Sequence, residues 1–172
     1  MPSASVVVPV LVFAAMVVLA IVAVRKVVVA GGRARRETVS VEALLELALQ
    51  ADGELARVIA TVDTIRRHAA GPEEVVGALD LGRETLRACT ETASKLAAEQ
   101  AGPSPAANLA AELERAQRAL ELTDHGLQLL EIDTFENRSE GEIAIKRGYL
   151  NLVHAREAIA ALGRSVEAAG RH

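Results

Sequence analysis

Apolar side chains recur at Val41, Leu44, Ala48, Ala51, Leu55, Val58, Val62, Ile65 and Ala69, with gaps that alternate between three and four. That spacing keeps one stripe of a helix apolar and is the pattern of a packed helical seam. It predicts a helix from about Ser40 to Ala70, with Ser40 as N-cap and Glu42 in the first turn, where a negative charge suits the helix dipole. Gly71-Pro72 closes it and opens a second helix, reaching about Ala101, whose seam reads Val75, Leu79, Gly82, Leu86, Cys89, Ala93 and Leu96. Pro at a first helical position and the acidic pair Glu73-Glu74 both favour a helix start there.

Gly102-Pro103-Ser104-Pro105 is the clearest break in the chain. A third helix follows over about 105–133, with Leu109, Leu113, Ala116, Leu120, Thr123, Leu127 and Leu130 in its seam. Continuing that register would place Thr134, Asn137 and Gly141 inside, so a turn is expected between Asp133 and Ser139. Ser139 and Glu142 form an S-x-x-E capping box. The fourth helix is therefore expected over 139–168, with Ile145, Tyr149, Leu152, Ile159, Leu162 and Val166 facing inward.

Four amphipathic helices of about 28 residues, joined by short links, predict an all-α, antiparallel up-down-up-down four-helix bundle over 40–169, about 42 Å long. The alternative is two helical hairpins that pair between chains.

The N-terminal pattern is different. Val6 to Val24 is 19 residues without a charge, and Arg25, Lys26, Arg33, Arg35 and Arg36 follow it. About 20 apolar residues span a bilayer core of about 30 Å. Residues 1–32 are thus expected to form a single transmembrane helix with its juxtamembrane end, and 33–39 a basic linker. A cleaved signal peptide would want a basic start and a small-residue cleavage site; Met1 to Ser5 has no basic side chain and Ala23-Val24-Arg25 is a poor site. A buried core helix would need another all-apolar element to cover it. Basic residues lie only on the C-terminal side, so the positive-inside rule puts the N-terminus outside and the C-terminal domain in the cytoplasm of a cell membrane. The span has no small-xxx-small motif to drive its own dimerisation.

Charge sharpens the division. Residues 1–36 hold five basic and no acidic side chains, and the remaining 14 basic and 23 acidic give residues 37–172 a net charge of −9. Such a domain is repelled by phosphate backbones, which argues against nucleic acid as a partner. Phe135 and Tyr149 are its only aromatics, so base-stacking and sugar platforms lose support as well. A lone cysteine, Cys89, excludes an internal disulfide framework and fits a reducing compartment. The Arg-over-Lys bias and abundant Ala associate with a GC-rich bacterial genome.

Candidate chemistry is sparse. A di-iron bundle needs Glu-x-x-His on two helices, but Leu122, Asn151 and Ile65 stand three before His125, His154 and His68. Asp124 and His125 are neighbours on a helix and point apart. His154 and Glu157 are spaced to meet, as surface pairs commonly are. Asp133, Glu136, Glu140 and Glu142 lack the ligand alternation of a calcium loop. Asn137-Arg138-Ser139 is formally a glycosylation sequon, which a cytoplasmic location makes irrelevant. Cys89 falls in a seam as a small buried hydrophobe. Lys146-Arg147-Gly148-Tyr149 is the one basic-aromatic cluster of the domain and a candidate partner contact. No catalytic, cofactor-binding or metal-ligating residue is assigned, and no cofactor is implied.

The reading that results is a membrane-tethered helical bundle, not an enzyme, that serves as a scaffold or interaction module. Its partners are the bilayer, through the N-terminal helix, and a protein or a second copy, through helical faces. A membrane-linked signalling or ligand-sensing bundle is the alternative. Gly31-Gly32 argues against rigid coupling of anchor to bundle, and only Thr123 is polar within the seams.

Overall fold

The computed structural model describes residues 41–100, 103–132 and 134–170. Over them the chain is a four-helix, all-α bundle. The four helices are α1, described over 41–66, α2 (Pro72–Ala98), α3 (Pro105–Glu131) and α4 (Phe135–Gly170). The expected transmembrane segment and basic linker lie outside the described residues. Among the described residues no helix is long and apolar enough to cross a membrane.

The seams form the core. Ala51, Leu55, Val62, Leu86, Ala93, Leu113, Ala116, Leu152 and Ile159 are fully enclosed, and all the other buried apolar residues but Ala144 join them in one continuous cluster. Cross-helix contacts fix the directions. Arg83 Nη2 lies 3.4 Å from Asp124, and Gln117 donates to Thr90 Oγ1 at 2.7 Å, so α2 and α3 run antiparallel. Arg156 grips both carboxylate oxygens of Asp52, at 2.9 and 3.3 Å. The Arg66 guanidinium lies 4.2 Å from the centre of the Tyr149 ring. Those two contacts, with Ala48 facing Gly163, set α1 antiparallel to α4.

Each break has a local cause. His68 adopts a left-handed φ of 53° after α1. Its N–H bonds the Ile65 carbonyl at 2.9 Å, and that of Ala69 reaches back to Thr64 at 2.8 Å. Those paired bonds make a Schellman stop, and it ends the helix short of the Ala70 expected from the seam. Gly71 and Pro72 then start α2. Ser104 caps α3 by accepting from the Ala107 N–H at 3.2 Å.

The start of α4 differs from the expected Ser139. Thr134 Oγ1 accepts from the Asn137 N–H at 3.3 Å, and the helix begins at Phe135. The reason is tertiary. Gly141 is already helical and packs against Gly126 so closely that a Cβ on either would sit 2.7 Å from the other's carbonyl oxygen. Each glycine turns a Cα hydrogen toward the facing carbonyl, a weak but recurrent contact at helix interfaces. Gly148 continues this close approach, facing Thr123 and the Ala119 carbonyl.

Candidate functional site

The residues singled out from the sequence do not converge. His68 sits exposed in the α1–α2 turn, His125 on the outside of α3 and His154 on the outside of α4. Asp124 turns to Arg83 on α2, away from its neighbour His125. Glu157 is exposed, and no ion pair joins it to His154 among the described residues. No group of three or more His, Cys, Asp or Glu is placed to hold a metal ion among the described residues.

The polar groups inside the bundle are satisfied locally. Thr123 is fully buried and donates to the Ala119 carbonyl at 2.9 Å, a bond within its own helix. Cys89 is 1% exposed; burial, and secondarily the charge of Glu54, push its thiol pKa above the ordinary value. A thiol held neutral is a poor nucleophile.

Glu54 is the interior group that the sequence pattern did not reveal. Its side chain is 3% exposed and paired with Arg57, one helical turn on, whose own side chain reaches solvent. Glu54 lies beside Gly82, where the missing side chain leaves room. It flanks Leu55 in the seam, and only the small residue opposite in α2 hinted that a carboxylate fits there.

A small apolar depression, with room for about 10 Å³, lies where Leu44, Leu45 and Ala48 meet Pro105 and Leu109 of α3 and Leu162 and Val166 of α4. Ligand pockets are commonly about 300–1,000 Å³ with a few convergent polar groups. This one is smaller and has no polar lining.

The outside of α4 is more informative. The Lys146-Arg147-Gly148-Tyr149 cluster divides between two faces. Gly148 is buried against α3 and Tyr149 half-buried under Arg66, whereas Lys146 and Arg147 point outward. Ile143, at 49% exposure, and Leu150, at 45%, stand on the same outward face. Phe135, at 89%, and Ile132 are exposed at the α3–α4 turn. The site geometry is therefore that of a surface, with apolar side chains among charges. Comparison with known proteins finds no match among family models, curated proteins or solved structures.

Proposed function

We propose that the chain is a membrane-tethered cytoplasmic helical bundle that acts by contact, as a scaffold or interaction module, rather than by catalysis. The apolar Val6–Val24 segment and the basic residues that follow it support the tether and its orientation, with the N-terminus outside. The observation that carries the contact role is the set of large apolar side chains left in solvent on a bundle whose interior is already filled. Phe135 and Leu49 are 89% and 74% exposed, so they contribute little to the burial of their own fold. Exposed apolar groups among polar ones mark interaction surfaces. The acidic balance of residues 37–172 supports a protein partner over nucleic acid or an anionic lipid surface.

Two measurements test this. Reporters active only in the periplasm or only in the cytoplasm, fused in turn to the C-terminus, should give activity from the cytoplasmic one alone. Photoreactive side chains placed in cells at Leu49, Phe135 and Ile143 should yield discrete cross-linked proteins, whereas one at buried Leu113 should not. Absence of cross-links from all three exposed positions overturns the contact role.

A further inference from the structure

The outward face of α4 is self-complementary, and we infer that it pairs with the same face of a second copy of this chain, antiparallel, about a two-fold axis at Ile143. This names the partner of the contact role proposed above and rests on that reading. Glu136, Ile143 and Leu150 are seven residues apart, and so are Glu140 and Arg147. Seven residues are nearly two turns, so these side chains line one stripe. Ser139 and Lys146 border it, and all seven are exposed.

The order of charge along the stripe is the decisive feature. Its N-terminal part carries Glu136 and Glu140, its middle Ile143, and its C-terminal part Lys146, Arg147 and Leu150. None of the four charged side chains has an ion-pair partner among the described residues. Elsewhere on the bundle basic side chains are commonly engaged, as Arg83 is with Asp80 and Arg115 with Glu112. A parallel pairing of α4 with a second α4 would set Glu against Glu and Lys against Lys. Antiparallel pairing about Ile143 places residue 140 opposite 146, 136 opposite 150 and Ile143 opposite itself. Glu140 then meets Lys146 of the second copy, Glu136 lies within reach of its Arg147, and the Ile143 side chains cover each other. A two-fold pair requires this kind of match, in which one patch complements itself.

Four turns of helix make a small interface, of the weak and transient class. Confinement to a membrane raises the effective concentration and favours such a pair. The axis crosses α4, so the two copies of Val41 lie at opposite ends of the pair.

Disulfide cross-linking of the full chain in membranes, in a Cys89→Ala background, tests the geometry. Ile143→Cys should form a disulfide-linked dimer under mild oxidation, since facing Cα atoms of packed helices fall within disulfide reach. Leu150→Cys alone should not, but co-expressed with a Glu136→Cys chain it should give the mixed dimer. Lys146→Glu with Arg147→Glu should cut the Ile143→Cys yield at least fivefold, and adding Glu136→Lys with Glu140→Lys should restore it. Dimers from Leu150→Cys as readily as from Ile143→Cys, or no dimer from Ile143→Cys, overturn the pairing. So does an Ile143→Cys yield indifferent to the charge changes. A photoreactive group at Phe135 that captures a different protein while Ile143→Cys stays monomeric would leave the contact role standing and remove the self-pairing.

Discussion

At the scale of single residues, glycines divide by what surrounds them. A Cβ at Gly148 would lie 2.8 Å from the Ala119 carbonyl and press on the Thr123 hydroxyl, and the carbonyl cannot retreat without shifting α3. Overpacking of this kind costs about 1–3 kcal/mol. Gly77 has nothing within 4 Å of that position. It is exposed within α2, where glycine is less favourable than alanine by about 0.5–1 kcal/mol. Gly148→Ala is therefore expected to destabilise the fold, and Gly77→Ala to stabilise it by up to about 1 kcal/mol. Denaturant titration of the two variants reads both signs, and equal signs would mean that the α3–α4 approach is misplaced.

Cys89 gives a second residue-scale expectation, on pH. Its thiol is raised above the ordinary 9.0 in the fold, by burial first and by Glu54 second. The unfolded chain therefore loses that proton at a lower pH than the folded one. The stabilising contribution is whole below the ordinary value and declines as pH rises through it toward the folded value. Stability should fall above about pH 9, and Cys89→Ala should remove that part of the slope. An unchanged alkaline slope in the variant would place the titration elsewhere.

At the scale of elements, helix α1 ends on a residue that pays for its position. His68 holds the left-handed φ of 53° that closes the Schellman motif, a conformation that glycine adopts without strain. It is exposed, so nothing is lost in packing when it is replaced. His68→Gly should raise stability by about 0.5–1 kcal/mol, and His68→Val should lower it, since a β-branched residue is a genuine outlier there. A thermal shift of the same sign for both would show that the turn does not need this φ.

The seams explain how much of these elements was legible beforehand. Leu86, Leu113, Leu120 and Leu152 are enclosed where three-and-four spacing put them, because that periodicity is a property of the chain alone. What depended on a neighbouring helix was not legible. Ser139 and Thr134 are both competent caps, and the choice between them follows from the Gly126–Gly141 approach. Glu54 reads as a surface residue until Gly82 is set opposite. Likewise the basic-aromatic cluster on α4 drew notice as one unit, yet helical geometry turns Lys146 and Arg147 out and Gly148 and Tyr149 in. The stripe from Glu136 to Leu150 became visible only once α4 was continuous from Phe135.

At the scale of the whole molecule, the residues described from Val41 onward hold one continuous apolar core, built from all four helices. Burying apolar side chains is worth about 25 cal/mol per Å², and it is the core contacts among α1 to α4 that supply it here. The chain from residue 37 onward is therefore expected to fold without its N-terminal segment, with a mostly helical circular dichroism spectrum and one cooperative melt. Leu86 and Glu91 test whether that melt reports the bundle. Leu86 is 0% exposed in mid-seam, far from either turn. Glu91 is exposed, and its carboxylate lies 3.3 Å from Arg87, which is exposed as well. In the fragment, Leu86→Ala should cost about 2–5 kcal/mol through the lost contacts and the cavity left behind. Glu91→Ala should change stability by less than about 0.5 kcal/mol, because a solvated pair contributes little. Similar losses from the two would mean that the cooperative unit is not this four-helix core. A fragment that is unfolded at the outset would mean that the helices depend on the N-terminal segment or on a second chain.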